Sequence, residues 1–250
     1  MRNSIDLNCD LGEWRSEDGP DLDKAIMPYI SSCNIACGGH VGDEDTIRRT
    51  IQLARENHVH VGAHPSFPDR DNFGRKLLTM TKNELTQSIE AQVLLFHKQC
   101  EIEETPLHHV KLHGALYNYA AKDAPTADAV VDAIIATKFR PKLYVPYGSV
   151  LHRKAENLLP MVFEGFIDRT YMPDGSLVAR NTENAVINDK NAAWQQLYQM
   201  VTKQSVTTIT GEVVALVANT FCIHGDHPNA VKILQYLHEQ MDAHQISLPK

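Results

Sequence analysis

Seven short apolar runs of β type punctuate the chain, with helical periodicity between them, and no other feature limits the possible folds so tightly. The runs cover residues 5–9, 33–36, 60–63, 109–112, 142–145, 161–166 and 220–224. Leu85, Ile89, Val93, Phe96 and Cys100 recur every three or four residues, as do Ala230, Leu234, Leu237 and Met241. Each set is the apolar stripe of an amphipathic helix. Strand and helix in alternation predict βα units around a parallel sheet. Thr81 with Glu84 three residues on predicts a capping box, and Asp43 predicts the N-cap of a helix over 44–57. Residues 171–217 are less regular: a PDG turn at 173–175, a helix over 189–201, and two β-type runs, 206–209 and 213–217, that pair as a hairpin around Thr210-Gly211. They read as an insertion in one domain spanning 1–250, because no linker, repeat or low-complexity segment divides the chain. The expected fold is a single parallel β/α barrel of seven strands, with an open doubly wound sheet as the alternative.

Composition narrows the function. A net charge of -7 argues against sequence-independent nucleic-acid binding. No apolar run approaches the roughly 18 to 20 residues of a membrane span, and MRNSIDLNCD lacks the apolar core of a signal peptide, so a cytoplasmic protein is expected. The five cysteines lack the dense spacing of a disulfide scaffold and read as reduced, buried thiols.

In parallel α/β architectures the loops leaving the C-terminal strand ends build the active site. Six of the seven runs end in charged or imidazole groups beside glycine or proline. The first supplies Asn8, Asp10 and Glu13; the second His40 and Asp43; the third His64 and Asp69, followed by Arg75. The fourth supplies Lys111, His113 and Asn118; the sixth Glu164, Asp168 and Arg169; the last His224 and Asp226. Singly, each has a structural explanation: Asp10 or Asp43 as a helix cap, His64 as a turn histidine, Lys111 with Glu164 as a buried ion pair. Packing alone has no reason to gather them at one end of nearly every strand. His58, His97, His152, His238 and His244 lie outside these motifs and read as surface or packing residues.

No GxSxG elbow, GxxxxGK[ST] loop or GxGxxG turn is present, which disfavours a serine hydrolase, a P-loop ATPase and a nicotinamide dehydrogenase. The remaining inventory suits general acid–base work on a polar substrate, anion binding, or metal-assisted hydrolysis. His40, His64, His113, His224 and Asp10 could ligate a metal, but none forms HExxH, so spacing leaves a metal unspecified.

NCDLGE, NIACGGHVGD, GAHPSFPD with FGR, VKLHGALYN, DRTY with GSLVAR, and HGD follow one another over most of the chain. In that order they resemble the LamB/YcsF family, identified with the A subunit of prokaryotic ATP-dependent 5-oxoprolinases. Leu112 stands where that family has proline, Ile167 where alanine is common, and His227-Pro228-Asn229 where Thr-Pro-Gly is usual. The resemblance implies a seven-stranded β/α barrel similar to the glycoside hydrolase/deacetylase fold. It implies cleavage of the lactam of 5-oxo-L-proline to L-glutamate, with ATP as co-substrate accompanied by Mg2+, in a complex with subunits B and C. Asp10, His40, His64, His224 and Asp226 are then the catalytic candidates. Asn8, Glu13, Asp43, Arg75, Lys111, His113, Asn118, Glu164, Asp168 and Arg169 are the substrate-binding ones, with Lys111 and Arg169 on phosphate or carboxylate. The alternatives are a metal-dependent deacetylase or amidohydrolase, and a noncatalytic substrate-binding component of the complex.

Overall fold

The computed structural model describes residues 4–14 and 19–249, so the first three residues of the stretch read for a leader lie outside the described residues. In chain order the first half runs β1 (Asp6–Leu11), α1 (Gly19–Ile26), β2 (Ser32–Ala36), α2 (Glu44–Glu56), β3 (His60–His64), α3 (Lys82–Ile102), β4 (Leu107–Lys111), α4 (Gly114–Ala120) and α5 (Ala124–Ala136). The second half runs β5 (Lys142–Val145), α6 (Val150–Ala155), β6 (Met161–Phe166), α7 (Lys190–Lys203), β7 (Ser205–Thr207), β8 (Val213–Ala215), β9 (Thr220–His224) and α8 (Ala230–Ala243). Strands β1 to β6 pair in sequence order, and β9 closes the barrel between β6 and β1. All seven pairings are parallel.

The seven barrel strands are the seven apolar runs, β5, β6 and β9 with the same ends and β1 to β4 with shifted ones. β1 continues to Leu11, because Asp10 and Leu11 still pair with Asn34 and Ile35. β4 begins at Leu107 and stops at Lys111, leaving buried Leu112 just beyond it. The helix starts follow the local chemistry. Asp43 accepts from the Thr46 amide at 2.9 Å, and Thr81 and Glu84 complete the capping box of α3; each such cap contributes about 1 kcal/mol. Ile47, Ile51 and Ala54 of α2, and Leu85, Ile89, Val93 and Phe96 of α3, are buried in the main core together with Leu7, Cys9, Cys33, Ile35, Val61 and Val110 from the strands. All five cysteines are free and buried.

Between β6 and β9 the chain forms α7 and the antiparallel hairpin β7–β8, as its sequence pattern predicts. Three side chains bind this stretch to the barrel. Arg169 donates to the carbonyls of Val178 and Ala185, the Tyr171 hydroxyl accepts from the Phe166 amide, and Gln196 donates to the Phe166 and Arg169 carbonyls, both at 2.8 Å. Among the described residues no helix is long and apolar enough to cross a membrane.

Candidate active site

Side chains alternate across a strand, and here the inward positions are polar. Asn8 donates to Glu164 Oε1 at 3.0 Å and to the Thr220 hydroxyl at 2.7 Å, tying β1 to β6 and β9. Asn34 on β2 donates to Asn8 Oδ1 and Asp10 Oδ1, both at 2.8 Å. His109 on β4 donates through Nε2 to Asn34 Oδ1 at 2.7 Å and stacks on Tyr144 at 4.0 Å. Its ring lies across Gly62, where a Cβ would stand 2.3 Å from Nε2, so β3 has room for it only as glycine. Burial holds His109 well below the ordinary imidazole range, in its neutral form. Asn34, His109, Tyr144, Thr220 and Cys222 escape a reading confined to strand ends. Their signal is the period-two polarity inside the apolar runs, as in Asp6, Asn8, Asp10 and in Ser32, Asn34.

One layer nearer the mouth, the Lys111 ammonium is buried among four acceptors. They are Asp10 Oδ1 at 2.7 Å, Glu164 Oε1 at 3.2 Å, Asn8 Oδ1 at 3.3 Å and Cys222 Sγ at 2.9 Å. Burial opposes its charge, but Asp10, Cys222 and Glu164 outweigh that and raise it well above the usual lysine range. Burial likewise opposes the Asp10 carboxylate, and positive charge placed at His64, then at Lys111, reverses it, holding the group well below its ordinary range. Lys111 is thus the fixed countercharge of two buried carboxylates, and its donors are committed within the protein.

The loops after β1, β2 and β4, with the last residue of β3, bring four more predicted residues together. His40 stacks flat on His113 at 3.7 Å and donates from Nε2 to Glu13 Oε1 at 2.8 Å. Burial, then the neighbouring His113, pulls His40 down to about 4, so it is neutral near pH 7. Gly38 reaches φ +96 to make the turn after β2. Gly39 passes so close to Gln92 and Ser66 that a Cβ would collide with both at 2.5 Å or less. His64 Nε2 lies 3.3 Å from Asp10 Oδ2 and 3.0 Å from His113 Nδ1. Phe73 closes the group, its ring edge-on to His40 and His113 and its carbonyl accepting from His113 Nε2 at 2.9 Å.

A cleft of about 870 Å³ is lined at its base by Asp10, Lys111, His113 and Glu164 and also by α4, the loop after β5 and residues 174–181. His224 faces it, its Nδ1 donating to Asp168 Oδ2 at 2.9 Å. Burial pushes Asp168 up, but the His224 ring and amide more than offset it and hold the carboxyl at about 2, ionised. The geometry leaves His224 Nε2 as the free face of an Asp–His pair. At the rim Asp226 pairs with Arg75 and, at 3.5 Å, with Arg180, a cationic partner absent from the sequence-based candidates. Asn118 lines the cleft from α4 and donates to the Gly114 carbonyl. Arg169 also lines it, although its guanidinium braces residues 178–185. Asp43 stands apart from these groups as the exposed cap of α2.

Residues 5–250 match the LamB/YcsF family. A protein of Symbiobacterium thermophilum, named as the A subunit of 5-oxoprolinase, is 41% identical over 245 residues, covering 98% of this chain and 94% of its own. One of the same name from Halalkalibacterium halodurans is 37% identical over 98% of this chain and 96% of its own. The crystal structure of a lactam utilization protein from Thermus thermophilus superposes with a TM-score of 0.91 at 34% identity, covering 98% of both chains.

Proposed function

Since the chain belongs to the LamB/YcsF family, we propose that it works as the A subunit of a 5-oxoprolinase, opening the lactam of 5-oxo-L-proline to L-glutamate with hydrolysis of ATP. The observation that carries this reading is the end-to-end likeness to proteins named as the A subunit of that enzyme. ATP dependence, the Mg2+ that accompanies the nucleotide, partner subunits B and C, and a cytoplasmic setting belong to the proposal. Five free, buried thiols agree with the last of these.

An unstrained five-membered lactam is a poor electrophile. Transfer of a phosphoryl group from ATP to the lactam oxygen turns that oxygen into a leaving group and makes the carbon open to water. Attack of one water on that carbon and cleavage of the C–N bond, with a proton passing to nitrogen, release the amine and leave a γ-glutamyl phosphate. A second water hydrolyses this acyl phosphate to the side-chain carboxylate and inorganic phosphate. Such a route needs a base for water and cations for the anionic substrate. His224 is suited to the first role, because ionised Asp168 fixes its tautomer with Nε2 toward the cleft. Arg75 and Arg180 suit the second, being at the rim with one carboxylate, Asp226, between them. Lys111 and Asp10 supply a rigid floor to the cleft. The exposed rim leaves ATP free to approach from a partner chain.

The test is 5-oxoproline-dependent release of ADP and glutamate, measured on the purified chain with and without subunits B and C. Turnover only in the reconstituted complex is expected. Lactam hydrolysis by the chain alone without ATP would make it a self-sufficient amidohydrolase. Full turnover by a complex carrying His224→Gln would remove His224 from the role of base.

A further inference from the structure

We propose that Asp10, His64 and His113 hold one divalent transition-metal ion at the C-terminal mouth of the barrel, with the Glu13 carboxylate beside it. Backbone carbonyls fix the tautomers of both rings. His64 Nδ1 lies 2.8 Å from the Lys111 carbonyl oxygen, and His113 Nε2 lies 2.9 Å from that of Phe73. A carbonyl only accepts, so each of these nitrogens carries a proton. In the neutral rings the opposite nitrogens, His64 Nε2 and His113 Nδ1, hold lone pairs, and they face each other at 3.0 Å. Two carboxylate oxygens join them: Asp10 Oδ2 is 3.3 Å from His64 Nε2, and Glu13 Oε1 is 3.1 Å from His113 Nδ1 and 3.9 Å from His64 Nε2. Asp10 Oδ2 and the two ring nitrogens therefore converge in a buried place with Glu13 Oε1 alongside, which demands positive charge among them.

A single proton shared by the two rings relieves one opposition and leaves Asp10 Oδ2 against the His64 lone pair. A metal ion held by Asp10 Oδ2, His64 Nε2 and His113 Nδ1 satisfies all three. Ligands about 2.1 Å from a metal stand about 3.0 Å apart at right angles and about 3.4 Å apart in a tetrahedron. The separations of 3.0 Å between the ring nitrogens and 3.3 Å between Asp10 Oδ2 and His64 Nε2 lie in that span, while Glu13 Oε1 stands 3.9 Å from His64 Nε2, outside it. Each imidazole also gives its other N–H to a backbone carbonyl, the contact that orients histidine toward a metal. Asp10 keeps Oδ2 for the ion because Lys111 and Asn34 occupy Oδ1. His40 fixes Glu13 through Nε2, while its own Nδ1 is buried without a hydrogen-bond partner. Two imidazoles with a carboxylate favour zinc, manganese, iron, cobalt or nickel over calcium and magnesium, which take oxygen ligands.

Metal binding is read without turnover, so its failure leaves the lactam reading standing, and failure of the lactam reading leaves the metal site. Full-length protein is purified without added metal, analysed for metal content, stripped with dipicolinate, and titrated with Co2+ alone by calorimetry and visible absorption. One equivalent per chain is expected, with d–d bands of a nitrogen–oxygen site and a rise in Tm. His113→Gln and Glu13→Gln should each weaken binding, His113→Gln by about 100-fold or more. Circular dichroism confirms that the variants are folded, and the wild-type titration stands even where they are not. No saturable binding by wild type, or equal binding by folded His113→Gln, overturns the proposal. So does an imidazolium signature for His113 in nitrogen-15 spectra that persists with Co2+ replaced by excess Zn2+.

Discussion

At the scale of single residues, two histidines at the same mouth have different environments and so different work. His64 is buried among other ring nitrogens and carboxylates, whereas His224 is held by one carboxylate and turns its remaining nitrogen to the cleft. A base so placed contributes about 100-fold or more to proton removal from water. His224→Gln in the reconstituted complex is therefore expected to lower kcat by at least that factor with KM for 5-oxoproline changed little. Asp168→Asn should lower kcat in the same direction, because a neutral amide no longer favours the imidazolium that forms as water loses its proton. Steady-state glutamate production checks both, and a KM effect with kcat intact in His224→Gln would move His224 to substrate binding. The sequence places Asp168 after the sixth strand and His224 and Asp226 at the end of the last, but does not show that Asp168 points to His224 and Asp226 to Arg75 and Arg180. Those pairings depend on side-chain direction after a loop, which residue order does not carry.

At the scale of elements, the strands, the caps of α2 and α3 and the hairpin were legible because each has a local cause in apolar period, cap chemistry or turn chemistry. The clamp on the loop after β1 was not. Asp23, on α1, accepts from the Gly12 amide at 2.8 Å and from Trp14 Nε1 at 2.7 Å, fixing the segment that carries Glu13. Nothing near Asp23 in sequence announces this, since its partners come from the preceding loop. Burial raises the Asp23 carboxyl to about 6, more than its hydrogen bonds from Gly12 and Trp14 lower it. The folded state thus holds this proton more tightly than the unfolded chain, whose carboxyl titrates near ~3.9. The associated stability is fully present below pH ~4 and is lost as pH rises through about 6, amounting to at most about 3 kcal/mol. Asp23→Asn keeps a carbonyl acceptor and removes the titration. Urea unfolding at intervals from pH ~4 to ~8 should show wild type losing stability relative to the variant across that window; parallel profiles would mean that Asp23 is ionised in the fold without penalty.

At the scale of the whole molecule, the first barrel strand must find the last, and the polar interior decides how they meet. Asn8 pairs with Cys222 in register, and its side chain reaches Thr220, Glu164, Asn34 and Lys111. A one-residue slip of β1 would turn Leu7 and Cys9 into the barrel and press Asn8 and Asp10 against the helices. Apolar packing outside the strands and hydrogen bonding inside therefore specify the same register by independent means. Closure across more than two hundred residues is entropically costly, so the bonds at the seam have a large effect on stability. Asn8→Leu keeps the branching of the side chain but takes one hydrogen-bond partner from each of the buried Glu164, Lys111, Thr220 and Asn34, a change worth about 3 kcal/mol or more. Chemical denaturation should show a lower midpoint with one cooperative transition and an unchanged slope, because the same surface is exposed on unfolding. A loss below about 0.5 kcal/mol, the range of an ordinary surface change, would mean that apolar packing alone closes the barrel.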